Sequence, residues 1–187
     1  MNKELVKMNM YSGVFNSPLY NGFKKYKLDC KYFVETGSHY GDGIAYAELA
    51  EFEKIFSCEF IEERYNYCIS RFNHNKNIML YHSLSLEFLK KIIPLLDEKT
   101  FFWLDAHDDG GGVPTFEELD LIKEFSVTNT IMIDDVPAYF GDGIELKEKL
   151  LNINPNYTIE RWNTLNVSDP NYEGEVKDDG YTMVAYL

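Results

Sequence analysis

The sequence predicts an α/β fold around a mostly parallel sheet, on three observations. Strand-like and helix-like segments alternate along the whole chain. Two apolar runs, Thr100–Asp105 and Thr130–Asp134, end in acid, as central strands covered on both faces do. A glycine-rich turn from Gly37 to Gly43 follows the first strand and opens a helix.

In chain order, residues 1–28 are polar and aromatic, contain Pro18 and Gly22, and read as a lead-in or lid segment with one short helix. Lys31–Glu35 is the first strand, and a helix follows from Gly43 through Ala50. Lys54–Glu59 is the second strand, Glu63–Phe72 has helical spacing, and Asn77–Tyr81 is the third strand. Leu84–Leu96 is amphipathic, with Leu86, Leu89, Ile92, Ile93 and Leu96 on one face. After the strand at Thr100–Asp105, Thr115–Phe125 returns to helical spacing. Thr130–Asp134 is the next strand and Ile144–Leu151 a short helix. Tyr157–Trp162 and Tyr181–Leu187 are the last strands, and the absence of a long helix between them suits antiparallel pairing. Tyr40-Gly41-Asp42-Gly43-Ile44 and Phe140-Gly141-Asp142-Gly143-Ile144 look alike, and both read as loops that open helices.

The 187 residues suit one domain with one sizeable core, and no Gly/Ser or Pro linker divides them. The formal net charge of −13, with no Lys/Arg cluster, argues against a nucleic-acid surface, which needs a basic footprint. No apolar run approaches the roughly 20 residues of a membrane helix, and the first ten residues lack a signal-peptide core. Cys30, Cys58 and Cys68 are odd in number and unpaired in spacing, which argues against a disulfide framework and a Cys-based zinc site. A reducing, cytoplasmic setting is the resulting expectation.

The first site candidate is Glu35-Thr36-Gly37-Ser38-His39-Tyr40-Gly41-Asp42-Gly43. Its spacing is not the Gly-x-Gly-x-x-Gly of a dinucleotide fold, nor a phosphate-binding loop with Gly-Lys-Ser/Thr. A carboxylate at the strand end suits a cationic ligand better than a pyrophosphate. Glu59 ends the second strand, where an acid can accept both ribose hydroxyls of an adenosine. His82 and Ser83 end the third strand, near an adenine, although Ser83 is equally explained as a helix cap. Asp105, Asp134 and Asp135 end the two apolar runs and converge if those strands are neighbours. A hard divalent cation relieves the repulsion of such acids and lowers the pKa of a bound hydroxyl. His107 has the side chain of a general base near neutral pH. Tyr40, Trp103, Tyr139 and Phe140 are candidates for an acceptor pocket, with Trp103 as readily core.

The string Phe33-Val34-Glu35-Thr36-Gly37 with Gly41-Asp42, and the strand ends Phe102-Trp103-Leu104-Asp105-Ala106-His107 and Ile133-Asp134-Asp135, resemble a class I S-adenosylmethionine (SAM) dependent methyltransferase-like family. The resemblance spans roughly residues 31–140. More distantly, the chain is similar to metal-dependent O-methyltransferases acting on macrolide sugars. It departs from the family at Asp108-Asp109-Gly110-Gly111, where Trp-Ser-Gly-Gly is usual.

The resemblance implies a Rossmann-like seven-stranded sheet in the order 3-2-1-4-5-7-6 with the seventh strand antiparallel. It implies SAM held by Glu35, Thr36, Gly37, Ser38, Gly41, Asp42, Gly43, Glu59, His82, Ser83 and Asp105. It also implies Mg²⁺ or another divalent cation on Asp105, Asp134 and Asp135, with His107 and Asp105 catalytic. The expected function is O-methylation of a hydroxyl on a sugar or small polar metabolite, with no nucleic-acid or membrane partner. The alternatives are a metal-dependent hydroxylase-like enzyme on the same fold, or a non-catalytic binding protein.

Overall fold

The computed structural model describes residues 17–107, 112–125, 129–163 and 181–187. Its strands are β1 (Tyr32–Thr36), β2 (Lys54–Glu59), β3 (Ile78–His82), β4 (Thr100–Leu104), β5 (Thr130–Ile133), β6 (Thr158–Asn163) and β7 (Tyr181–Tyr186). They form one sheet in the order β3-β2-β1-β4-β5-β7-β6. The first five pair in parallel, and β7 runs antiparallel to both β5 and β6. The order reverses between β1 and β4, where open α/β sheets leave a crevice beyond the strand carboxyl ends.

Among the described residues the helices are α1 (Pro18–Tyr26), α2 (Asp42–Leu49), α3 (Glu62–Phe72), α4 (Ser85–Ile92), α5 (Thr115–Lys123), α6 (Val136–Phe140) and α7 (Ile144–Ile153). Alternate side chains of each strand enter opposite faces, and both faces are covered. On one face Val34, Phe56 and Phe102 pack with Phe88 and Leu89 of α4, Leu119 and Ile122 of α5, and Leu146 of α7. On the other, Phe33, Phe101 and Trp103 pack with Phe23 of α1, Ile44 of α2, and Cys68 and Phe72 of α3. This two-sided burial is why the central strands read as unbroken apolar runs. Trp103 is core, buried against Phe23 with ring centroids 5.1 Å apart.

Some elements differ from the sequence reading. The amphipathic run at 84–96 is helical only over Ser85–Ile92 and ends in a 3-10 turn, Ile93–Leu95. Pro94 lies in that turn and has no N–H to continue the helical ladder. Phe88, rather than Leu86, fills the core from this helix. The five-residue α6 was not legible, since Pro137 sits beside its start and it is too short to show periodicity. The two similar glycine motifs do both open helices, with Gly41 and Gly143 as left-handed N-caps of α2 and α7.

The helix expected in the lead-in is α1. Its start is fixed by Trp162 Nε1 donating to the Pro18 carbonyl at 2.9 Å, and its end by Tyr26 Oη donating to Glu160 at 2.6 Å. Residues 1–16 of the expected lid lie outside the described residues, as do Asp108 to Gly111. None of the described helices is long and apolar enough to cross a membrane.

Candidate active site

The strand register aligns the carboxyl ends of β1, β2, β3, β4 and β5 on one edge, and every sequence-predicted site residue lies on or near that edge. Leaving β1, the chain turns at Gly37, whose φ of +83° is a left-handed value that side chains rarely adopt. A Cβ there would stand 2.7 Å from the Asp105 carbonyl oxygen. Glycine therefore lets the loop close onto the end of β4. The Gly37 and Ser38 amides donate to the Cys58 carbonyl at 3.1 and 2.9 Å, and the Asp105 amide donates to the Thr36 carbonyl at 3.1 Å. These bonds fasten the loop to both neighbouring strands.

Glu35 lies beneath this loop and is 1 % exposed. Ser57 Oγ donates to its Oε2, and its Oε1 occupies the space a Cβ on Gly43 would need. Burial pushes the Glu35 carboxyl up to about 8, although the Ser57 hydrogen bond favours the charged form. At neutral pH the acid is therefore mostly uncharged. The expected attraction of a cation by a standing negative charge gives way to a buried acid that an adjacent cation would ionise.

Glu59 has a definite task. Its Oε2 accepts the His39 amide at 2.7 Å and its Oε1 accepts the Ile61 amide at 2.8 Å. The carboxylate thus braces the glycine loop against the end of β2. Asp42 is on the surface and pairs with Arg71 at 2.9 Å, and Arg71 also donates to the Tyr40 carbonyl. Ser38 is buried with its Oγ 3.8 Å from Cys68 Sγ, and the Thr36 hydroxyl is wholly buried. His82 is exposed, donates from Nε2 to the Phe60 carbonyl at 2.8 Å, and stacks on Tyr65. Ser83 donates to the Leu84 carbonyl. The cap position of α4 is Leu84, so Ser83 is not the helix cap.

Asp105, Asp134 and Asp135 converge. Each offers a carboxylate oxygen, and these oxygens lie within 4.8 Å of one another. The Asp134 amide donates to the Leu104 carbonyl at 3.1 Å, which holds the β4 and β5 ends side by side. Asp135 takes a left-handed conformation (φ 51°) as N-cap of α6. Burial first, then the Asp134 charge, raises the Asp105 carboxyl well above the usual carboxylate range. Burial and the neighbouring Asp135 push Asp134 up to about 6. His107 is exposed beside these acids, its ring stacked on Tyr139 at 6.1 Å and 23°. The acids, His107, Tyr139 and Phe140 line one cleft.

Three participants were not singled out from sequence. Phe60, directly after Glu59 at the end of β2, is 64 % exposed. The sequence carries only the aromatic directly after a strand-ending acid, and its exposure is set by the fold. Ser57 is an inward position of β2 facing Glu35. Glu118 falls in the buried stripe of α5 with Thr115, Leu119 and Ile122, so its spacing alone marks an acid on a core face.

No protein-family model matches the sequence, and no curated protein matches it significantly. Solved structures do match. An O-methyltransferase from Bacillus cereus in complex with SAH superposes with a TM-score of 0.65 at 16% identity, over 94% of this chain and 80% of that one. An rRNA methylase from Streptococcus thermophilus gives 0.59 at 12% identity, over 90% of this chain and 93% of that one. A precorrin 8w decarboxylase from Methanobacterium thermoautotrophicum gives 0.62 at 15% identity, over 90% and 89%. The chain has the Rossmann-like fold of class I SAM-dependent methyltransferases. Those proteins carry names of different activities, so the fold alone does not select the chemistry.

Proposed function

We propose that the protein is a SAM-dependent O-methyltransferase that methylates a hydroxyl on a sugar or small polar metabolite, with Mg²⁺ or another divalent cation assisting. The observation that carries this reading is the convergence of Asp105, Asp134 and Asp135 within 4.8 Å, beside His107 and against the glycine loop. The donor set fits both groups. Three carboxylates suit a hard cation, and burial together with mutual repulsion raises Asp105 and Asp134, a cost that a dication relieves. The Gly37 turn leaves backbone, not side chain, facing the crevice.

When bound, SAM supplies a methyl group on a sulfonium centre, and the divalent cation supplies Lewis acidity toward a hydroxyl. The residues' parts follow from placement. Glu35, Thr36, Gly37, Ser38, Gly41, Asp42 and Gly43 form the cradle for the methionine end. Glu59, His82 and Ser83 serve the adenosine end. Each Glu59 oxygen keeps an acceptor position beyond its backbone bond, and Phe60 offers an aromatic face to the adenine. Asp105, Asp134 and Asp135 hold the cation. His107 takes the hydroxyl proton on its imidazole, and the stacked Tyr139 ring restrains the imidazole plane. Tyr40, Tyr139 and Phe140 shape the acceptor pocket. Catalysis then rests chiefly on alignment plus proton removal.

The charge of −13 favours a neutral or cationic acceptor over nucleic acid. Three free, buried cysteines suit a reducing cytoplasm. The test is a SAM turnover screen across hydroxylated sugars and metabolites, with product masses. A product heavier by one methyl, lost with a chelator and in His107→Ala, is expected. A product gaining oxygen would favour the hydroxylase alternative, and Mg²⁺-independent methylation would remove the cation from the account.

A further inference from the structure

A buried acid that neither the glycine loop nor the aspartate cluster uses lies deeper in the molecule. Glu118 of α5 is 0 % exposed, and neither of its carboxylate oxygens has a hydrogen-bond partner among the described residues. The hydroxyls of Ser85, at the start of α4, and Thr36, at the end of β1, lie close enough to favour its charged form without reaching hydrogen-bonding geometry. Thr36 Oγ1 is likewise buried and unpartnered. Three elements therefore direct polar groups at one another inside an otherwise apolar face built of Val34, Phe88, Leu89, Leu104 and Leu119.

A leucine at position 118 would match that face, and burying an unpaired acid is costly. Local features that oppose stability concentrate where function requires them. Thr36 is the joint of the site: its carbonyl accepts the Asp105 amide, and Gly37 is the next residue. Ser85 opens α4, two residues after Ser83. The acid thus stands under the crevice between β1 and β4, touching the elements that carry both the glycine loop and the third-strand end.

We propose that Glu118 is a positioning residue, which acts through Thr36 and Ser85 to fix the floor of the cofactor crevice. This rests on the SAM-binding reading above. A carboxyl is suited to the task because its two oxygens can face hydroxyls on two different elements at once, with no hydrogen atom of its own directed at the apolar face when ionised. An amide offers one acceptor oxygen and brings an NH₂ that the apolar face does not satisfy.

The test combines unfolding midpoints with SAM dissociation constants for the wild type, Glu118→Leu, Thr36→Val and the double variant. Glu118→Leu is expected to raise the unfolding midpoint while weakening SAM binding about tenfold, or about 1.4 kcal/mol. Thr36→Val is expected to weaken binding similarly, and the double variant no further than either single one, because the two act as a unit. A Glu118→Leu variant that is destabilised or does not fold would show the acid to be structural and overturn the proposal. Unchanged affinity, or losses that add in the double variant, would overturn it as well. Failure of the wild type itself to bind SAM would instead remove the function proposed above, and this positioning role with it.

Discussion

Glu35→Gln should flatten the pH dependence of stability. In the folded chain burial holds this carboxyl at about 8, against an ordinary 4.5. The folded state therefore keeps a proton that the unfolded chain releases above pH 4.5. Since the unfolded state then binds fewer protons, stability falls as pH rises. The group's contribution is fully present below pH 4.5 and is lost as pH climbs through about 8. The gap between 4.5 and about 8, at roughly 1.4 kcal/mol per pH unit, comes to about 5 kcal/mol. Glutamine keeps the length of the side chain and an acceptor for the Ser57 hydroxyl, but it does not titrate. Urea unfolding of wild type and variant at pH 5, 6.5 and 8 measures the effect, because all other titrating groups are common to both chains. The difference in unfolding free energy should move by about 3.5 kcal/mol in favour of the variant between pH 5 and 8. Parallel profiles would refute the reasoning, and would mean that Glu35 is already ionised in the folded protein.

Other outcomes follow from the same structure. Gly37→Ala places a Cβ 2.7 Å from the Asp105 carbonyl at a left-handed φ; it should cost about 1–3 kcal/mol and abolish SAM binding, read by thermal unfolding and calorimetry. Asp134→Asn removes a buried charge that repels its neighbours; it should raise the unfolding midpoint without metal and eliminate the stabilisation by Mg²⁺ that the proposed site predicts for the wild type. Glu160 is held down to about 2 by the Tyr186, Tyr26 and Lys25 hydrogen bonds. Its stabilisation is present above pH 4.5 and lost as pH falls through about 2, so Tyr186→Phe should weaken stability at neutral pH and narrow the loss on acidification, measured by unfolding between pH 2 and 6.

The legible part of the fold was the part with period and continuity. Thr100–Leu104 and Thr130–Ile133 are buried on both faces, so their apolar runs could be read directly, and the acids after them fixed where they end. The convergence of Asp105 with Asp134 and Asp135 needed only that β4 and β5 be neighbours. The strand order came from the family resemblance, since local pattern carries no information on which strands are adjacent. What sequence withheld were partners distant along the chain. Glu59 was legible as an acid at a strand end, but its bond to the His39 amide depends on how the loop folds back over β2. Glu35 read as a standing charge because its burial under Gly43 is a tertiary fact. Glu118 was visible in the stripe of α5, yet its facing Thr36 and Ser85 appears only when β1, α4 and α5 are packed.

The central claim is that the glycine loop receives SAM beside the aspartate cluster, and isothermal calorimetry of the folded protein with SAM tests it most directly. The account predicts saturable binding at one site per chain, lost in Gly37→Ala and accompanied by proton release as the bound cation ionises Glu35. No SAM binding by protein shown to be folded would contradict it.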